Sequence, residues 1–244
     1  MRVRASVRFH HRERVCAAAG VVLVATALGV PGCDPGHDSY SAPCGVVVDG
    51  SASGQNFDAD KRVTELLPGF LRANKCKTLT YVPLDTDSRG SVCSHKDLDL
   101  DPDLGAGTDK EAIRAGRQSR ALKDAHAVLA CLHAGRPKSD VLGALARAAD
   151  QRPDGKGTYH VLVVSDMLQT DRTVDLTHAD LSTAAKRRAI LDGPFKGRVP
   201  DLGGTALEIT DRGRTLKDTR QSVGLNAFWT QLFATAGHPT VKYD

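Results

Sequence analysis

The sequence is as informative for what it lacks as for what it holds. It contains no C-x-x-C, which argues against a zinc knuckle or a thioredoxin-type centre. It contains no G-x-S-x-G, no phosphate-binding P-loop and no H-E-x-x-H, so the common signatures of α/β-hydrolases, nucleotide phosphatases and zinc proteases are missing. No internal repeat is visible. The uncharged run from Val15 to Val30 spans roughly 16 residues, short of the roughly 20 needed to cross a bilayer.

That run has the build of a secretion signal. Arg2, Arg4, Arg8, Arg12 and Arg14 precede it, and small residues close it. An uncleaved membrane anchor is the alternative. The run ends in Val30-Pro31-Gly32-Cys33, which resembles the lipobox of bacterial lipoproteins. The resemblance implies acyl chains on Cys33 holding the mature chain on the outer face of the membrane, more than one chain being needed for stable anchoring. Ordinary cleavage nearby would instead leave Cys33 as a spare thiol.

An excess of charge is also absent once the leader is set aside. The chain has 33 basic and 29 acidic residues, and the first 32 positions hold five Arg and one Glu, leaving 28 of each sign. A balanced domain of this kind has no electrostatic footprint for nucleic acid. The six cysteines sort in the same way. Cys16 leaves with the signal and Cys33 is the lipidation candidate. Cys44, Cys76, Cys93 and Cys131 remain as an even set in an exported domain, which implies two disulfides. The organisation expected is therefore a signal peptide over 1–32, a lipid-anchored tether over 33–43 and one folded domain over 44–244.

Within the domain, short β-branched runs alternate with helical spacing. Gly45 to Asp49, Lys77 to Leu84, Tyr159 to Val164 and Thr205 to Thr210 are expected strands. Helices are expected over about 58–73 (with a kink at Pro68), 111–133, 139–149 (capped by Ser139), 179–191, and a last one carrying Leu225, Phe228, Trp229, Leu232, Phe233 and Ala236 before Gly237. Residues 85–108 read as irregular, with room for a short edge strand. The fold class implied is α/β: a doubly wound, mostly parallel sheet flanked by helices, with ligands beyond the carboxyl ends of its strands.

The first strand ends in Asp49-Gly50-Ser51-Ala52-Ser53, a D-x-S-x-S loop whose carboxylate and hydroxyls are hard oxygen ligands for Mg²⁺ or a similar ion. Ser139 opens a helix, and Asp166 follows the strand that ends at Val164. In order and placement these residues resemble the von Willebrand factor A domain and its metal-ion-dependent adhesion site. Ser139 stands where that family commonly has Thr, and Met167 where it commonly has Gly.

The resemblance implies a site of Asp49, Ser51, Ser53, Ser139 and Asp166 binding Mg²⁺, or Mn²⁺ or Ca²⁺. Ser51 and Ser53 would be direct ligands, with Asp49 and Asp166 acting partly through water. An open coordination position would accept an acidic residue of a protein partner, and no catalysis is implied. It also implies that the first two strands are parallel neighbours, which would bring Cys44 to Cys76 and leave Cys93 with Cys131. Two other readings stay open: a metal-assisted hydrolase at Asp49 and Asp166, and a solute-binding lipoprotein.

Other features carry less. Asp97, Asp99, Asp101 and Asp103 suggest calcium, but an EF-hand loop counted from Asp99 meets Leu104 and Lys110 where Gly and Glu are required, and counted from Asp97 meets Pro102 and Thr108. A haloacid-dehalogenase-type phosphatase built on Asp49 needs a carboxylate where Ser51 stands. His160, on an apolar run, reads as structural.

Overall fold

Strict alternation along the apolar runs builds two cores, one on each face of a sheet. Val46 and Val48 point to one face and Val47 to the other; Leu162 and Val164 join the first, Val161 and Val163 the second. The strands are β1 (Ala42–Asp49), β2 (Cys76–Leu84), β3 (Leu98–Asp99), β4 (Tyr159–Val164), β5 (Thr205–Thr210) and β6 (Thr240–Tyr243), in the order β3-β2-β1-β4-β5-β6. All neighbours are parallel except β2 and β3. The fold is thus a doubly wound α/β sheet. These features come from a computed structural model that describes residues 39–105, 107–133, 138–155 and 157–243. The expected signal segment, Cys33 and the start of the tether lie outside the described residues.

The helices are α1 (Ala52–Asn56), α2 (Ala59–Ala73), α3 (Lys110–Leu132), α4 (Val141–Asp150), α5 (Ala184–Asp192) and α6 (Thr219–Phe233). Apolar residues of α2 and α3 cover one face, and those of α4, α5 and α6 the other. The first half of α3 is largely polar, and its burial begins at Ala121. On the opposite face, Phe195, Phe228, Trp229 and Phe233 form a run of edge and stacked ring contacts, with centroids 5.5–5.9 Å apart. Helix α2 continues through Pro68, which removes one hydrogen bond to the turn before it.

Several boundaries differ from expectation. A short helix, α1, occupies the Ser/Gly loop after β1. Asp140, not Ser139, caps α4, accepting from Gly143 N at 3.0 Å. The stretch expected to open a helix at 179 begins one only at Ala184, where the Thr183 hydroxyl accepts from Lys186 N. Strand β6 was not expected; its four residues are mostly exposed and lack an apolar pattern.

Among the described residues two disulfides are present. Cys44–Cys76 joins the amino ends of β1 and β2 with Cα atoms 5.6 Å apart, and Cys93–Cys131 ties the 85–108 segment to the end of α3 with Cα atoms 5.7 Å apart. Closing loops of this length stabilises by about 3–4 kcal/mol each in the chain-entropy account. Paired cysteines belong to an oxidising, extracytoplasmic compartment. Among the described residues, no helix is long and apolar enough to cross a membrane.

Candidate metal centre

The carboxyl ends of β1 and β4 are adjacent, and there the strand order reverses: from β1 the chain winds outward to β2, and from β4 to β5. A doubly wound sheet opens its ligand crevice at such a point. Asp49 ends β1 and Ser165-Asp166 follows β4, so both carboxylates arrive at this crevice through backbone pairing alone.

The loop after Asp49 is shaped by close approach. A Cβ on Gly50 would lie 2.1 Å from Leu132 Cβ, and one on Gly54 would lie 2.2 Å from the Asp49 carbonyl oxygen. Both positions therefore need Gly. The turn sends the Ser51 amide and hydroxyl back to Asp49 Oδ1, the amide at 3.0 Å. The other oxygen, Oδ2, accepts from the Ser165 hydroxyl at 2.6 Å. Both Asp49 oxygens are thus engaged within the fold.

Ser53 is the hub. Its hydroxyl donates to Asp166 Oδ1 at 3.2 Å, and its oxygen lies 3.1 Å from Ser51 Oγ and 3.4 Å from Ser139 Oγ. All five residues expected at the site come together. Ser139 is set by a clamp: its amide donates to Thr170 Oγ1 at 2.9 Å, and its carbonyl accepts from Thr170 N at 2.8 Å. The fully buried Gln169 braces the next turn, accepting from Leu142 N at 2.8 Å and donating to Asp140 Oδ1 at 3.1 Å.

Asp166 is fixed from a fourth segment. Leu168 N donates to Oδ1 at 3.1 Å, Thr215 Oγ1 donates to Oδ2 at 2.5 Å, and Gly213 N donates to the Asp166 carbonyl at 2.8 Å. Met167 takes a left-handed backbone with φ of 60°. That conformation costs a residue with a Cβ about 1–2 kcal/mol. It is held by a fully buried side chain and by Trp229 Nε1, which donates to the Met167 carbonyl at 2.9 Å.

The electrostatics are one-sided. Asp49, Ser51, Ser165 and Asp166 have no exposed surface. Burial first, then the charge of Asp166, push the Asp49 carboxyl up to about 7, against hydrogen bonds from Ser165 and Ser51. Burial also raises Asp166, against hydrogen bonds from Thr215, Leu168 and Ser53. Among the described residues, no Lys, Arg or His pairs with either carboxylate.

Two observations suit this donor set to a hard cation. Ser51 Oγ bonds Asp49 Oδ1, and Ser53 Oγ lies within 3.1 Å of Ser51 Oγ, 3.2 Å of Asp166 Oδ1 and 3.4 Å of Ser139 Oγ, so several hard oxygens crowd one point. Neighbouring oxygens around an octahedral ion lie about 3.0 Å apart for Mg²⁺ and about 3.4 Å for Ca²⁺. The spacings of 3.1, 3.2 and 3.4 Å fall in that range. The set is hydroxyl-rich: among the described residues, no three His, Cys, Asp or Glu side chains converge as a metal cluster.

The remaining candidates fall outside this centre. In the acidic stretch, Arg114 grips Asp101 through Nε and Nη2 at 2.8 and 2.9 Å, and Asp99 accepts from Asp101 N at 3.0 Å, so these carboxylates brace a loop. His160 is half-buried on β4, where burial pushes its imidazole down. Sequence reasoning missed Ser165 and Thr215. A hydroxyl beside a strand-end Asp was a usable signal for Ser165; Thr215 lies in a polar loop with no motif. Compared with protein-family models, with curated proteins and with solved structures, the chain matches none.

Proposed function

We propose that this chain is an exported, membrane-anchored domain of the von Willebrand factor A type that binds a protein ligand through a divalent cation. One observation carries the reading: two buried carboxylates and three converging serine hydroxyls share a crevice with no cationic side chain, among the described residues, to neutralise them. Buried charge without a partner is costly, and a bound cation removes that cost. Ser51, Ser53, Ser139 and Asp166 Oδ1 hold the ion, while Asp49 orients Ser51 from behind. A divalent ion bound here supplies a Lewis-acidic position for an acidic residue of the partner.

Anchoring follows from the leader. Cys33 after a short apolar run, together with the disulfides, supports a lipid anchor on the outer face of the membrane. A hydrolase at the same residues is less well supported, because its base needs a free carboxylate oxygen and both oxygens of Asp49 are committed. A solute-binding reading would place its ligand elsewhere, in a cleft of about 460 Å³ between α4 and residues 197–201. The test is isothermal titration with Mg²⁺ and Mn²⁺, followed by capture of surface proteins with and without a chelator. Chelator-sensitive capture that Asp49→Ala abolishes is the expected result. A wild-type domain that takes up neither ion sinks the proposal. For the anchor, Cys33→Ala should move the chain out of the membrane fraction.

A further inference from the structure

Which ion the crevice selects follows from how its carboxylate oxygens are already used. Ca²⁺ collects six to eight oxygens and often takes a carboxylate through both of its oxygens. Mg²⁺ is content with six at shorter range and takes one oxygen per carboxylate. At Asp49 neither oxygen is free, since Ser51 holds Oδ1 and Ser165 holds Oδ2. At Asp166, Oδ1 accepts from Leu168 N at 3.1 Å and still faces Ser53 and the crevice, whereas Oδ2 is bonded to the Thr215 hydroxyl at 2.5 Å. Thr215 therefore decides whether Asp166 can present one oxygen or two.

The loop that carries Thr215 is fixed from three sides. Gly213 N is bonded to the Asp166 carbonyl at 2.8 Å. Asp211, at the root of the loop, is gripped by Arg62 of α2 through Nε at 2.7 Å and by Arg214. The α position of Gly213 faces Leu225 and Ser222 of α6, 3.5 and 3.6 Å from where a Cβ would stand. A hydroxyl on so constrained a loop cannot follow Asp166 if the carboxylate rotates.

We propose that Thr215 is a positioning residue that selects Mg²⁺ over Ca²⁺, by holding Asp166 Oδ2 out of the crevice so that the carboxylate can engage an ion through Oδ1 only. The inference rests on the metal-binding reading above. It adds a residue from a segment that no motif identifies, and it gives that residue a job separable from affinity as such.

The experiment titrates Mg²⁺ and Ca²⁺ separately into the folded domain, as wild type, Thr215→Val, Thr215→Ala and Thr215→Ser. Wild type is expected to prefer Mg²⁺ by about tenfold or more, as one-oxygen carboxylate contacts dictate. Thr215→Val keeps the side-chain shape and removes the hydroxyl, and Thr215→Ala guards against a packing artefact. Both should tighten Ca²⁺ binding and narrow the preference to about threefold or less, because Asp166 is then free to turn. Thr215→Ser should restore the wild-type ratio. A role limited to stability would shift the melting temperature in chelator without moving the ratio of the two dissociation constants. An unchanged ratio in both hydroxyl-free variants, or a wild type that holds Ca²⁺ as tightly as Mg²⁺, overturns the assignment of Thr215 and leaves the metal reading standing. A wild type that binds neither ion overturns both.

Discussion

The carboxyl edge of the sheet carries two sets of acidic side chains that solve the same problem differently. In the outer set, Asp211 sits between Arg62 and Arg214, and Asp171 pairs with Arg198. In the inner set, the partners of Asp49 and Asp166 among the described residues are hydroxyls and amides. Burial raises Asp171 as well, but Arg198 and its turn hydrogen bonds win and hold it down at about 2; Asp49 is pushed up to about 7. The difference teaches that burial alone does not fix a carboxylate's behaviour. What matters is whether the fold brings its own counter-charge, and on the proposed reading the inner pair takes one from outside.

The comparison breaks hardest if the outer set is stripped. With Arg62→Ala and Arg214→Ala together, Asp211 becomes a buried carboxylate without a cation. Loss of about 3–5 kcal/mol is expected in urea denaturation, the scale for breaking a buried pair. A loss under about 1 kcal/mol would place these contacts with ordinary surface pairs.

The next effect offers the inner pair a cation. Mg²⁺ at a hundredfold excess over its dissociation constant should stabilise the domain by about 2.7 kcal/mol. Asp49→Ala should abolish that gain and raise metal-free stability, since one of two close carboxylates is gone. A melting temperature indifferent to Mg²⁺, Mn²⁺ and Ca²⁺ would remove the contrast between the two sets.

Acidity separates the sets by sign. The folded state raises Asp49, so it favours the protonated form. The corresponding stability is fully present below pH 4 and is lost as pH rises through about 7 in the metal-free domain. Relative to wild type, Asp49→Asn should lack this decline, and saturating Mg²⁺ should suppress it. The folded state lowers Asp171, so its contribution is present above pH 4 and is lost as pH falls towards about 2. Denaturation midpoints between pH 2 and 8 in chelator measure both limbs.

The smallest expected effect is Arg198→Gln. The Arg198 guanidinium is partly exposed, so the loss at neutral pH should be under about 1 kcal/mol, accompanied by a flatter acid limb. An acid limb unchanged from wild type would show that the turn hydrogen bonds of Thr173 and Val174, not Arg198, hold Asp171 down.

Much of this architecture is written locally. The runs Val46-Val47-Val48 and Val161-Leu162-Val163-Val164 are apolar on both faces, as only a sheet covered on both sides requires, and β1, β2, β4 and β5 all fall within a few residues of where composition puts them. Edge elements are less legible. Strand β6 is held by pairing with β5 rather than by burial, and so has no apolar signature. At the start of α4, Ser139 and Asp140 are both good caps by residue type. Asp140 takes the role because its carboxylate reaches Gly143 N, while the Ser139 hydroxyl faces Ser53.

The sequence by itself determined the strands and most of the helices, the even set of cysteines and the five side chains of the candidate centre, because each depends on residue type and short-range spacing. Only the tertiary structure decided that Ser53 would meet Ser139 and Asp166 across 86 and 113 residues of chain, and that Ser165 and Thr215 would take the outer oxygens of the two carboxylates. Equally, it alone decided that the arginines of this edge would reach Asp211 and Asp171 but not the inner pair. Those outcomes turn on a few ångströms between segments distant in sequence. Such distances are set by sheet register and by the packing of α2, α4 and α6 on its two faces, which no single stretch of sequence contains.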